Sequence, residues 1–532
     1  YLRYGGIIRW SLDMKSQVPD VAKSWDMSKD AKVFTFHLRK GMKWSDGAPF
    51  TADDILFYFE DILFNKELTP VFSSYFMSGG EPVKVKKIDE YTVKLIFNAP
   101  YPMFLQRMAG PYTGEIYAPK HYLRQFHPKY TPEEKLEKMV KEAKFDYWYE
   151  LFLDKNDFWA NAEKPTVKAW KVVVPYGVST QITLERNPYF WKIDTAGNQL
   201  PYIDKAVVSI VTNMEMVEMK AIAGEIDMSG SPVGESVANY PLYMENREKG
   251  DYRVLLLPTG EHAIYLTFNQ NHKDPVLKKI LCNRKFRYAL SDAINREEIN
   301  DIVFFGKGEI CQPGPYPDLP SYYEPLWKAH IKYNPEEANR LLDEIGLNKR
   351  DKDGYRLRPD GKRLILTIET YPAVTSWVRS AEMICKYWEE VGVKATIKVE
   401  ERSFWETRWQ AAEHDLCLTN SDYGQGWMAG VGGHAYTPFR KGWGTAYGSA
   451  WADWFLTKGE SGEEPPEDVK KMVAIAEKIK ITVDERKRLE LFKEILAWRA
   501  QELYGIGICT RPPKAYIVKN KFRNVPEYFY ET

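Results

Sequence analysis

Between Val33 and Asp54 the spacing of apolar and polar positions changes period within a few turns of chain. Phe34, Phe36 and Leu38 alternate with Thr35, His37 and Arg39, the period-two pattern of a half-buried strand. Ser45-Asp46-Gly47 marks a turn, and Thr51 with Asp54 three residues later spells a capping box that opens a helix through Ile55, Phe59 and Ile62. Further along, the pattern predicts a charged amphipathic helix over Glu134–Ala143 and strands at Gln181–Leu184 and at the mostly apolar Val207–Val211. Asn334-Pro335-Glu336-Glu337 supplies a cap, a first-turn proline and a glutamate for another helix, which Gly346 closes after Leu341, Leu342 and Ile345. A strand over Leu364–Glu369, a helix from about Ser376 to Val391 stopped by Gly392, and a strand over Lys394–Val399 read as a βαβ-like unit. Helices and strands alternate throughout, so the fold class is α/β.

Composition narrows the function more than the fold. The 532 residues exceed what one core organises, so two or three domains are expected. Seventy-four basic residues balance 74 acidic ones, which leaves no net field to steer the protein toward nucleic acid or an anionic membrane and suits a neutral ligand. No stretch is apolar for the 18 or so residues that a membrane span needs. The five cysteines form no CxxC or Cys/His spacing suited to zinc, so no metal is expected. Cys385, Cys417 and Cys509 read as buried thiols, whereas Cys282 and Cys311 lie next to loops and are open to bridging in an oxidising compartment. Asp351–Gly361, DKDGYRLRPDG, is superficially like a calcium loop, but Lys362 stands where the loop's closing glutamate belongs, which favours a solvated hairpin.

Catalytic signatures are missing from the sequence: there is no GxSxG, no HExxH and no P-loop, and the eight histidines are scattered. Paired glycosidase acids meet only in a fold and are not read from spacing. Aromatic density is the positive signal. The run from Tyr423 to Phe455 holds Trp427, Tyr436, Phe439, Trp443, Tyr447, Trp451 and Trp454 among eight glycines, which reads as a loop presenting flat side chains. Sugars offer an apolar CH face and a rim of hydroxyls, so their sites need aromatic platforms plus polar side chains, here Asn420, Asp422 and Gln425. The competing reading for any single tryptophan is core packing, as for Trp451 and Trp454.

The Val33–Asp54 order, preceded by Val21-Ala22-Lys23-Ser24-Trp25, resembles the signature of the family 5 extracellular solute-binding proteins, receptors of ABC importers for oligopeptides, nickel complexes and oligosaccharides. Gly224-Glu225-Ile226-Asp227, Thr267-Phe268-Asn269, and Phe286–Ser291 running into Ala293–Ile299 are similar to further landmarks in the family's order. Asn187-Pro188-Tyr189-Phe190-Trp191, followed by Asp194 and Gly197–Asp204, resembles the branch with sugar-binding members. Peptide-binding relatives carry an Asp-Tyr segment followed shortly by Asp-Pro. Here Asp422-Tyr423 is present, with Gln425-Gly426-Trp427 in place of the second acid. An oligosaccharide is therefore the expected ligand and a peptide the alternative, since one carboxylate is enough for a buried ammonium.

The resemblance implies a bilobal periplasmic-binding-protein fold (type II, large cluster C type) with an extra subdomain inserted in the first lobe. Carried onto this sequence, residues 1–20, 170–266 and 510–532 form lobe one, 21–169 the inserted subdomain and 269–508 lobe two, with hinges near 265–269 and 507–512. Ligand contacts then fall on Tyr371, Trp377 and Asn269 of lobe two beside Tyr423, Trp427, Trp443 and Trp451, with Asn213, Tyr75, Phe76 and Tyr112 from lobe one. Trp405 and Trp409, four apart on a helix face, are expected in the core. The implied protein is a monomeric, non-catalytic receptor without cofactor, periplasmic or extracellular at the cell surface, lipid-anchored or free, and partnered by a membrane permease. Family members carry several tens of residues before the strand at Ile7–Trp10, and Tyr1 is no initiator, so the sequence is expected to lack a signal segment and part of one lobe.

Overall fold

A computed structural model describes residues 5–13, 15–70, 72–110, 115–211, 213–229, 239–257, 262–313, 324–372, 375–421, 437–438 and 441–527. The chain forms two compact units, Tyr1–Asn213 and Met214–Glu531.

In the first unit, strands β1 (Ala22–Met27) and β2 (Val33–Leu38) lead into helix α1 (Ala52–Phe57), followed by β3 (Lys84–Asp89) and β4 (Thr92–Ile96). They form an antiparallel sheet in the order β1–β2–β4–β3, with Phe34 opposite Leu95 and Phe36 opposite Val93. Phe34, Phe36 and Leu38 are buried as their alternation requires. Thr51 caps α1 through Asp53 N, and the Asp54 carboxylate accepts from Thr51 N at 2.9 Å, completing the capping box. The helix does not run on regularly through Ile62. Residues Tyr58–Leu63 widen into a π-helical turn, where buried Asp61 accepts from Lys129 Nζ at 2.7 Å and Tyr130 Oη at 2.6 Å. A second sheet of β5 (Trp170–Val174), β6 (Gln181–Arg186) and β7 (Lys205–Ser209) has the order β7–β6–β5 over Phe158, Val172, Ile182 and Leu184. Its last strand starts and ends two residues before the expected Val207–Val211 and leaves Val207 half exposed, because Lys205 to Ser209 supply the partners of Glu185 to Gln181.

Among its described residues the second unit contains two sheets. The smaller joins β8 (Met228–Ser229), β9 (Tyr252–Leu257) and β15 (Lys514–Lys519) in the order β8–β15–β9. The larger is built from β10 (His262–Phe268), β11 (Ile365–Thr370), β12 (Lys394–Val399), β13 (Leu416–Ser421) and β14 (Gly505–Gly507), with helices α2 (Arg296–Phe304), α3 (Thr375–Glu390) and α4 (Arg402–Gln410) among its connections. Its order is β12–β11–β13–β10–β14. β11 runs parallel to β12 and to β13, and β10 runs antiparallel to β13 and β14. The expected βαβ unit is therefore present as β11–α3–β12, closed by Gly392 at φ +80°. Leu366, Ile368, Ile384 and Trp388 bury together with Leu290 and Leu342, and Trp388 Nε1 donates to Leu290 O at 2.9 Å.

The chain passes between the two sheets of this unit twice, from β9 to β10 and from β14 to β15. Ala263 N donates to Cys509 O at 3.0 Å and His262 pairs with Thr510, so the start of β10 and residues 509–510 lie side by side. Residues 265–268, expected at a hinge, sit inside β10 with partners on both edges. The 351–361 stretch is the expected hairpin: Arg350 pairs with Arg356, Leu357 with Arg363, and Arg363 binds Asp351 at 2.5 Å. All five cysteines are free, which corrects the bridge considered for Cys282 and Cys311. Cys282 Sγ lies 3.5 Å from Gln270 O, whereas buried Cys311 Sγ lies 3.5 Å from His262 Nδ1.

Candidate functional site

In open α/β sheets, ligands gather outside the carboxyl ends of parallel strands, where loops leave the sheet without its ladder to complete. Here β11, β12 and β13 end on one edge, at Thr370, Val399 and Ser421. His262, the first residue of β10, faces Ser421 across the ladder, so the passages toward the smaller sheet leave from that same edge. The geometry singles out this edge as the candidate site.

Its polar groups fall into two sets. Glu369, only 3% exposed, is gripped by Arg408 of α4: Nε donates at 2.9 Å and Nη2 at 2.8 Å. Glu400 follows β12, donates its backbone N–H to Thr370 O at 3.0 Å, and lies 2.6 Å from Lys398 Nζ and 3.4 Å from Arg408 Nε. Burial pushes the Glu369 carboxyl up while Arg408 opposes that shift. The bonds to Glu369 push the guanidinium upward in turn. Two carboxylates and two cations thus neutralise each other. The second set is uncharged: Thr370, whose Oγ1 has no partner among the described residues, Thr419 and Asn420, linked by a 3.3 Å hydrogen bond.

Of the residues expected to meet ligand, Tyr371, Trp377 and Asn420 are on this edge. Tyr371 and Trp377 are nearly buried, with ring centroids 5.1 Å apart, and Trp377 Nε1 donates to Ala263 O at 3.1 Å. Trp405, expected in the core, packs 4.9 Å from Tyr371. Asn269 is at the opposite end of β10, fully buried, donating to Ala412 O at 3.0 Å and His414 O at 2.7 Å. Its side chain ties a turn together, a placement away from the expected ligand contacts. Trp451 packs against Tyr504 in a core with Tyr447 and Trp498, which is the core-packing alternative. Phe76 is buried against Phe59, Tyr75 is half-buried with Arg107 over its ring at 5.2 Å, and Asn213 is exposed. Asp422, Tyr423, Gln425, Trp427 and Tyr112 lie outside the described residues, as does the side chain of Trp443. Sequence reasoning missed the Glu369–Arg408–Glu400 cluster. Its one signal was an acid at the end of the apolar run Leu364–Ile368.

Among the described residues no helix is long and apolar enough to cross a membrane. The class these features define is a solute-binding receptor with the type II periplasmic-binding-protein fold. A model of the bacterial extracellular solute-binding proteins, family 5, matches residues 16–441, and the chain belongs to that family, the substrate-binding proteins of ABC importers. It is 28% identical to the periplasmic alpha-galactoside-binding protein of Rhizobium meliloti (strain 1021), over 97% of this chain and 72% of that protein. Among solved structures it is similar to an oligopeptide-binding protein OppA, at TM-score 0.75 and 39% identity over 100% of this chain and 85% of that one. It is also similar to the periplasmic binding protein MelB of Agrobacterium fabrum C58 in complex with stachyose, at TM-score 0.71 and 26% identity over 99% and 77%. The chain spans 63 to 72% of the length of the first curated relatives it matches.

Proposed function

We propose that this receptor captures a neutral oligosaccharide, of the α-galactoside class, and hands it to a membrane permease of its importer. The observation that carries this reading is the self-neutralised edge: Glu369 and Glu400 are matched by Arg408 and Lys398, leaving the amide of half-buried Asn420 beside the buried hydroxyls of Thr370 and Thr419. Such groups satisfy sugar hydroxyls without attracting an ion. The relative named for binding α-galactosides and the neighbour holding stachyose support the same class. In this reading the two sheets of the second unit belong to different lobes, and Asp422, Tyr423, Gln425, Trp427 and Trp443 contribute aromatic and polar contacts as the sequence suggests. The receptor works as a monomer outside the cytoplasm.

The 39% identity to a protein named for oligopeptides favours a second reading, a peptide held through Asp422. Calorimetric titration with stachyose and with trialanine separates the two. Saturable heat with stachyose and none with trialanine is expected, and the reverse would replace the sugar with a peptide. Turnover of stachyose on prolonged incubation would point instead to a glycosidase.

A further inference from the structure

Residues 505–510 form the second passage's approach, and they are held on both flanks. On one flank lie β10 and the Ala263 N to Cys509 O bond. On the other, residues 309–312 act as an added strand: Thr510 N donates to Glu309 O at 2.8 Å, Glu309 N to Thr510 Oγ1 at 2.9 Å, and Ile310 pairs with Cys509. The peptide groups of Gly507 are gripped by side chains. Gly507 N donates to Gln312 Oε1 at 2.9 Å, and Arg296 Nε donates to Gly507 O at 2.8 Å. Both side chains are themselves locked, Arg296 Nη1 to Ser291 O at 2.9 Å and Gln312 Nε2 to Ala329 O at 2.9 Å. A Cβ on Gly507 would meet Pro313 Cδ at 2.6 Å and Cys311 O at 2.8 Å, so the grip leaves no room for a side chain. After Thr510, Arg511-Pro512-Pro513 leads directly into β15 at Lys514. Two successive prolines fix their own φ, so little freedom remains in that span apart from ψ.

We infer that Arg296 and Gln312 are positioning residues for capture, pinning the Gly507 peptides so that rotation of the smaller sheet against the larger one is confined, on this passage, to Arg511–Pro513. The inference rests on the proposed reading in treating the two sheets as parts of different lobes. A pinned passage narrows the set of open arrangements, and an arrangement that is populated more often gives a higher apparent affinity.

Spin labels at exposed Lys249 and Lys362, placed as Lys249→Cys and Lys362→Cys in a Cys282→Ser background, report the distance between the sheets. With Gln312→Ala the distance distribution without ligand is expected to broaden, and the Kd for stachyose to rise about fivefold, as affinity follows the competent population. Thr510→Val, which removes the acceptor for Glu309 N–H, gives the same readout if Gln312→Ala does not fold. A wild-type width in the folded variant, even with a lowered Tm, would reduce these residues to ordinary support and overturn the inference. Absence of stachyose binding by the wild type would refute the sugar reading alone, because the ligand-free widths still compare.

Discussion

The guanidinium of Arg408 meets the carboxylate of Glu369 side on, through Nε at 2.9 Å and Nη2 at 2.8 Å, at the end of a strand where nearly every other side chain is apolar or hydroxylic. A buried ion pair gains little over an apolar pair of the same shape, but removing one partner strands the other charge. Arg408→Met should therefore lower unfolding free energy by about 3 to 5 kcal/mol, and Glu369→Gln with Arg408→Met should recover most of it. Urea titrations of the four proteins of this cycle measure the coupling. A loss in the double variant equal to the sum of the two single losses would show that the two groups are uncoupled.

His414 gives the second unit a sign of its own in acid. The ring is fully buried, neither nitrogen has a partner among the described residues, and burial pulls its pKa down to about 3. The folded form then binds fewer protons than the unfolded chain between about pH 3 and 6.5, so stability is whole above that window and is lost as pH falls through it. His414→Leu should match wild type near pH 7 and lose less on acidification, by up to about 1.4 kcal/mol per pH unit. Chemical denaturation at a series of pH values reads this slope, and parallel curves would contradict it.

Asp54 in the first unit has the opposite sign. It accepts from Thr51 N, Lys120 N and Trp44 Nε1, yet burial dominates and raises its pKa to about 6. The folded form binds the extra proton between about pH 3.8 and 6, so its contribution declines as pH rises through that range and is constant above it. Asp54→Asn should remove this decline while weakening the cap by about 1 kcal/mol at low pH. Chemical denaturation of wild type and variant at pH 4 and pH 7 gives both values.

How much of this was legible in the sequence depended on distance along the chain. The capping box of Thr51 and Asp54 and the β11–α3–β12 unit are set by neighbours a few residues apart, and the structure reproduces both. The π-turn at Tyr58–Leu63 was not readable, because its buried Asp61 is matched by Lys129 and Tyr130, far ahead in sequence. The placement of Asn269 depended on which end of β10 faces the candidate edge, and that follows from strand order rather than from local pattern. Trp451 shows a different ambiguity, since an indole suits a sugar face and a core equally well, and only packing decides.

Trp451 is a case for separating fold from capture. Its ring is 3% exposed and packs 6.0 Å from Tyr504, while its Nε1 has no partner among the described residues. Trp451→Ala should cost about 3 to 5 kcal/mol of stability, and Trp451→Phe, which keeps the ring and removes the unmatched donor, distinctly less. Sugar affinity of the Phe variant should stay near wild type. An affinity loss with unchanged Tm would instead make Trp451 a direct platform.

Trp377 couples the candidate edge to the passage between sheets. Its Nε1–H reaches Ala263 O at 3.1 Å, so helix α3 is tied to the second residue of β10, one position past the bridge between His262 and Thr510. Trp377→Phe keeps the contact with Tyr371 but leaves the Ala263 carbonyl without that donor, a loss of about 1 to 2 kcal/mol. Because the tie joins the candidate edge to the passage, affinity for stachyose should fall several-fold beyond what Trp451→Phe causes at similar Tm. Calorimetry on both variants makes the comparison. Unchanged affinity in Trp377→Phe would confine this tryptophan to holding α3 on the sheet and leave ligand capture to the groups beyond Asn420.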